Sequence, residues 1–189
     1  VFLNKMGFEV LGLDLSEESI SQNKIFENDT LKFKVHDMRE AIYPEISTQK
    51  VDAVCNLFTS FGYFESDVED KKIFRSVADA LVDNGCFILD FLNEQWVKNT
   101  LVPQAITTKG DIEFHISKRI EDQHVIKDIN FKDQGEAFHF FEKVKLHTLE
   151  EIGSYAEEFG FERVKIYGDY HLGAFDRDTS PRCINVFRK

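Results

Sequence analysis

The sequence predicts an α/β fold: an open, mostly parallel sheet with helical crossovers, carrying an antiparallel β insert. Three observations lead there. First, three apolar runs of strand length each deliver a polar residue at their end. FEVLGLD (Phe8–Asp14) closes on Asp14, and Leu31–His36 is followed at once by Asp37. VDAVCNLFTSFGYFE (Val51–Glu65) passes from Val51, Ala53, Val54 and Leu57 into Asn56, Thr59, Ser60, Gly62, Tyr63 and Phe64. Open α/β sheets bind ligands at this carboxyl edge, so the pattern points to a nucleotide-like ligand. Second, Cys86–Leu92 is a near-continuous apolar run, as expected of a strand covered on both faces. Third, Ile112–Val144 alternates polar and apolar residues between turn signals, with no helix long enough for a crossover.

Each element has a local reason. Val1–Met6 reads as the end of a helix closed by Gly7. After strand Phe8–Leu13, Ser16 is an N-cap with Glu17 and Glu18 in the first turn, and the helix extends to about Asn28. Leu31–Val35 is the next strand; a polar loop through Asp37, Arg39 and Pro44 leads to strand Val51–Leu57. Asp67–Val82 is helical because Ile73, Phe74, Val77 and Leu81 recur at helical spacing, and Asn84-Gly85 ends it. Beyond Trp96 the pattern turns to β. Glu121-Asp122-Gln123-His124 is a hairpin turn between HISKRI and VIKDINF, and Gln134-Gly135 is another before AFHFFEKVKL. One face of these strands is expected to be wet. Thr148 to Glu151 forms a capping box for a helix that ends at Gly160. Strands Phe161–Tyr167 and Arg182–Arg188 finish the chain, joined by a loop holding Asp169, Tyr170, His171 and Phe175.

Composition narrows the function. At 189 residues and 42% hydrophobic, a single domain with a real core is the expectation, with 112–144 as its insert. Nineteen Phe point to large apolar surfaces and an aromatic-lined pocket. A net charge of −11 argues against DNA or RNA as partner, because phosphate binding wants a basic face. Cys55, Cys86 and Cys183 lie far apart in apolar runs without a C-x-x-C, so free buried thiols and a reducing cytoplasm are expected. No apolar run approaches the roughly 18 residues of a membrane span, and no signal peptide is visible, so no membrane partner is expected. None of the six histidines shows a metal spacing such as H-E-x-x-H, so no metal is expected.

The order of GFEVLGLDLSEESI, HDMRE, VDAVCNLFTSFGYF, the helix-Asn84-Gly85-strand unit through LDFLN, and HTLEEIGSYAEEFGF…GDY…SPRCINVFRK resembles class I S-adenosylmethionine-dependent methyltransferases over most of the chain. It looks most like a small bacterial subgroup with a β insert before the last helix. The resemblance implies a Rossmann-like sheet with an antiparallel last strand and S-adenosylmethionine as cofactor. Asp14 would accept hydrogen bonds from both ribose hydroxyls, which suits a charged acceptor facing a vicinal diol. Leu15 would cover one face of the adenine, Asp37 would take its amino group, and Met38 would add backbone and apolar contact. Asn56, Leu57 and Phe58 would lie beside the methionine part, and Thr59 to Phe64 would wall the cofactor off from the acceptor. The family's glycine-rich loop and the strand before it have no counterpart here, since Val1–Met6 matches the helix that follows them. The expectation is a chain missing upstream residues. The strands at Phe8–Leu13 and Val51–Leu57 should then lie on either side of a gap or of a strand supplied from elsewhere.

Other readings stay open on the residues alone. An acidic residue ending the second strand also marks nicotinamide-binding folds, although the β insert and the final two strands do not continue a βαβ series. Phe58 and Phe61 could be core, and Asp37 could simply turn the chain. His115, Arg119, His139 and Phe141 could line the inner face of the insert, although alternation alone does not say which face is inner. Arg182 matches a family position for which an ion pair holding the last strand is the plain reading. Tyr63, His147, Tyr170 and His171 are the candidates for a catalytic base. The primary expectation is methyl transfer to a small-molecule acceptor, with the insert as a lid or homodimer surface. The alternative is a non-catalytic module that keeps the fold for protein contact.

Overall fold

The chain opens with one helical turn, α1 (Phe2–Lys5), and then β1 (Val10–Asp14). The computed structural model describes every residue from Val1 to Lys189. Ser16 caps α2 (Glu17–Asn23), its Oγ accepting from the Ser19 N–H at 3.1 Å. The helix stops at Asn23 and tightens into a 3-10 turn, Lys24–Phe26, short of the Asn28 expected. Asn23 itself competes with the helix, donating from Nδ2 to the Ser19 carbonyl, and exposed Ile25 and Phe26 gain nothing from continuing it. β2 (Leu31–Val35) pairs parallel with β1 in register from Val10–Leu31 to Asp14–Val35, and these two strands form a sheet of their own.

The larger sheet has the order β3-β4-β10-β9. It is made of β3 (Val51–Asn56), β4 (Leu81–Leu92), β9 (Glu162–Tyr167) and β10 (Arg182–Arg188). β3 runs parallel to β4, and β10 runs antiparallel to both β4 and β9. β1 and β3 share no ladder, in keeping with the expected strand placement. α3 (Asp67–Ala80), capped by Ser66, precedes β4. It ends at Leu81, not at Asn84-Gly85. Leu81 is fully buried and turns extended to pair with Val51. Asn84 (φ 63) and Gly85 serve the sheet instead, exchanging backbone hydrogen bonds with Lys189.

Two elements were not foreseen: α4 (Glu94–Thr100), capped by Asn93, and β5 (Gln104–Lys109). α4 buries no residue and β5 is exposed throughout, so neither carries a strong apolar period. β5 leads an antiparallel meander with β6 (Ile112–Glu121), β7 (His124–Asp133) and β8 (Glu136–Lys145). Both later turns are two-residue loops with positive φ at each centre, Asp122-Gln123 and Gln134-Gly135, the geometry that matches strand twist. One face of the meander is aromatic: Phe131 stacks on Phe138 at 5.0 Å and on Phe140 at 5.8 Å, and packs against Phe114 at 4.8 Å. His115, Arg119, His139 and Phe141 do share the opposite face, but it is exposed and ion-paired. Arg119 and His139 both meet Asp128, at 2.6 and 3.0 Å.

α5 (Leu149–Glu158) starts at the expected capping box: Thr148 Oγ1 accepts from the Glu151 N–H, and Glu151 Oε2 accepts from the Thr148 N–H. α3 and α5 cover one face of the larger sheet. Phe74 is the hub of that core, meeting Phe61, Phe87, Tyr155 and Phe187 edge-on at 5.7 to 6.4 Å. Such pairs add about 0.5–1.5 kcal/mol each beyond area burial. Along β4, Cys86–Leu92 leaves no residue exposed, as its apolar run led one to expect, but neighbouring β3 is covered on one face only. Ala53 and Cys55 point away from this core, opposite Cys86 and Ile88, and are exposed. Of the three thiols expected to be buried, only Cys183 is. No helix is long and apolar enough to cross a membrane.

Phe74→Ala should cost about 3–5 kcal/mol in urea unfolding, because the four surrounding rings cannot collapse into the space. Thr148→Ala should cost about 1 kcal/mol by the same measurement, through loss of the cap.

Candidate functional site

Parallel pairing of β1 and β2 brings their carboxyl ends, and so Asp14 and Asp37, to one edge. The His36 N–H donates to the Asp14 carbonyl there at 2.9 Å. Asp14 is exposed. Its Oδ1 accepts from the Ser16 N–H at 2.8 Å, and its Oδ2 has no partner within the chain. Leu15 beside it is 67% exposed. Asp37 is held differently. Arg39 grips both of its oxygens through Nε and Nη2, and its Nη1 reaches Glu69 at 2.6 Å. That guanidinium also lies 4.6 Å over the Phe64 ring. The hydrogen bonds from Arg39 hold the Asp37 carboxyl below the usual carboxylate range.

At the end of β3, Asn56 Nδ2 faces Met38 Sδ at 3.5 Å, while Asn56 Oδ1 is buried without a partner. Leu57 and Phe58 follow at the surface, and Phe58 is 76% exposed, so it is not core. Phe58 and Thr59 are both in the left-handed region, at φ 59 and 64. For side chains with a Cβ this costs roughly 1–2 kcal/mol per residue. Phe61 turns inward and is fully buried. Gly62 (φ 92) follows, where a Cβ would lie 3.0 Å from the Phe91 ring and 3.1 Å from the Lys145 carbonyl. The Lys145 N–H donates to the Gly62 carbonyl at 2.8 Å, tying this loop to the meander.

The four catalytic candidates separate. His147 is buried in the core against Phe61, Phe91 and Tyr155, with Asp70 at 3.2 Å, and cannot meet an acceptor. It sits just before the cap of α5, where the chain turns inward from β8. Tyr63 is half-exposed at the edge. Burial, and then the charge of Glu142, push its hydroxyl up, which makes it a donor rather than a base at neutral pH. Tyr170 is exposed on its ring, but its hydroxyl donates to Asp90 Oδ2 at 3.0 Å. His171 is exposed on the same loop, its N–H donating to Asp169 Oδ1.

Sequence reading gave no role to Asp90. It is 1% exposed on β4 and forms the ion pair with Arg182 at 2.6 Å that was the plain reading for that arginine. The signal was present as an acidic residue inside the apolar run CFILDFL. The edge exposes one acceptor without a donor, Asp14 Oδ2, among exposed Leu15, Leu57 and Phe58, and Asn56 Oδ1 lies unpartnered just beneath it. A free carboxylate oxygen beside exposed apolar side chains fits a ligand with hydroxyl donors and a flat ring, as S-adenosylmethionine has.

No protein-family model matches the chain. The chain is 25% identical over 188 residues to the putative methyltransferase YqeM of Bacillus subtilis, covering 95% of this chain and 72% of that protein. An S-adenosylmethionine-dependent methyltransferase from Clostridium acetobutylicum superposes with a TM-score of 0.79 at 17% identity, over 94% of this chain and 74% of that one. CalS10, an amino pentose methyltransferase from Micromonospora echinaspora solved with S-adenosylmethionine bound, superposes with a TM-score of 0.73 at 15% identity, over 99% and 76%. By superposition, the chain shares the fold of S-adenosylmethionine-dependent methyltransferases.

Proposed function

We propose that the protein transfers a methyl group from S-adenosylmethionine to a small organic acceptor. The observation that carries this is the carboxyl edge of β1, β2 and β3. There, Asp14 and Asn56 keep unpartnered acceptor oxygens beside exposed apolar side chains. Asp14 would hold the ribose diol and Leu15 the adenine face. Asp37 would reach the adenine edge with what capacity Arg39 leaves it, and Asn56 would take a donor from the methionine part. When bound, the cofactor supplies an electrophilic methyl group on a sulfonium.

Displacement needs acceptor, methyl carbon and sulfur in line. Orientation is therefore the main service of the protein, drawn from roughly 7–11 kcal/mol available to a well-ordered encounter. Phe58, Tyr63 and Tyr170 supply rigid apolar walls for this. An amine acceptor has to arrive unprotonated; exposed His171 is the candidate base at this edge, and the Tyr63 hydroxyl is a hydrogen-bond donor to the acceptor. Likeness in fold to an amino pentose methyltransferase makes small amino sugars the first acceptors to assay.

Calorimetry with S-adenosylmethionine, on this chain and on a version extended upstream of Val1, tests the reading; the Asp14 and Asp37 variants are compared in the extended version. Asp14→Ala should weaken binding roughly 10- to 150-fold, the equivalent of the 1.5–3 kcal/mol carried by hydrogen bonds to a charged group. Asp14→Asn should fall between. Asp37→Ala should weaken binding less, because its oxygens are already shared with Arg39. Equal affinity in folded wild type and Asp14→Ala would remove the assignment and favour a non-catalytic module.

A further inference from the structure

Asp90 accepts four side-chain or backbone donors on its carboxylate. Oδ1 takes Arg182 Nε at 2.8 Å and Nη2 at 2.6 Å; Oδ2 takes the Phe58 N–H at 2.8 Å and the Tyr170 hydroxyl at 3.0 Å. Its main-chain carbonyl accepts from the Thr59 N–H at 3.3 Å, and Arg182 Nη2 also donates to Thr59 Oγ1 at 2.9 Å. Every one of these contacts ends on β10, on the loop after β9, or on the two residues in left-handed backbone. Neither Phe58 nor Thr59 would choose that conformation unaided. The outcome is that the Phe58 ring stands in solvent, tilted against the Tyr170 ring with centroids 6.3 Å apart, and the Arg182 guanidinium lies 5.6 Å over Tyr170 from the inner side.

We propose that Asp90 is a positioning residue. Its carboxylate fixes Phe58 and Thr59 in the left-handed turn and Tyr170 across from them, and so sets the aromatic wall between methyl donor and acceptor. This rests on the methyltransferase reading above. A residue serving only the β4–β10 pairing would need Arg182 alone. The two donors on Oδ2 come from outside that pairing and reach the loops on either side of the edge. Burial makes the arrangement stiff, because a carboxylate shut away from water holds whatever donors it has.

The test uses Asp90→Asn, with and without Thr59→Gly. Folding is checked by circular dichroism, the turn by amide hydrogen exchange at Phe58, and affinity by calorimetry with S-adenosylmethionine. Asp90→Asn should speed exchange at Phe58 at least 10-fold and weaken binding at least 10-fold. Thr59→Gly, which adopts φ 64 without strain, should recover at least half of that loss on a logarithmic scale. A purely structural Asp90 gives no such rescue. If Asp90→Asn does not fold, Arg182→Lys carries the same comparison. Wild-type affinity in the folded variant, unchanged exchange at Phe58, or a loss that Thr59→Gly does not recover overturns the assignment. The titrations use the version extended upstream of Val1; absence of binding by its wild-type form overturns the functional reading with it, so that titration tells the two failures apart.

Discussion

A carboxylate with 1% of its surface in water must be met by donors on every side, and that requirement organises one end of this molecule. Asp90 sits near the carboxyl end of the central strand. Satisfying it draws in Arg182 from the last strand, Tyr170 from the loop before it, and the backbone of Phe58 from the end of β3. Removing one partner of such a pair costs about 3–5 kcal/mol, because the other is left charged in the interior. The position of the candidate site is therefore tied to the integrity of the sheet. The loops at the edge are not draped over it; they are ligands of a group inside it.

The opposite end of the argument is apolar. Nineteen Phe in 189 residues would be a solubility hazard if scattered, and the structure gathers ten of them into two groups. Phe61, Phe74, Phe87, Phe91, Phe161 and Phe187 fill the core between the sheet and its helices. Phe114, Phe131, Phe138 and Phe140 line one face of the meander. Phe61 connects the first group to the edge. It is locked between Phe74, Phe91 and His147, three residues after Phe58, so the loop has one buried end and one exposed end.

Much of this was legible in the sequence, where the signal was local. Leu31–Val35 and Arg182–Arg188 fall where their composition put them. So do the caps at Ser16 and Thr148 and the turns at Asp122-Gln123 and Gln134-Gly135, because each depends on residues within a few positions. What was hidden depends on distance. Asn84-Gly85 looked like a helix stop, but its partner is Lys189 at the far end of the chain. His147 was a candidate base by sequence, and only the packing of Phe61, Phe91 and Tyr155 around it shows that it is core. The grip of Arg39 on Asp37 was within reach of sequence, two residues apart, but the third partner, Glu69, was not. Cys55 looked buried from its apolar run, yet a strand has two faces and composition does not say which of them is covered.

The meander and the larger sheet differ in how far the chain must travel to close them. β6, β7 and β8 each pair with the strand next in sequence across a two-residue turn, so their contacts form on the microsecond timescale of hairpins. β4 and β10 are another matter: Arg182 lies 92 positions from Asp90. During synthesis at roughly 5–20 residues per second, the meander can therefore be complete while β4 still shows an unpaired, strongly apolar edge. That edge is open until residues 182–188 are made, and it is the surface a chaperone or a neighbouring nascent chain would meet first. The last strand in sequence is thus the one that ends the vulnerable phase of folding, and the partly buried Arg182 it carries arrives at the same moment.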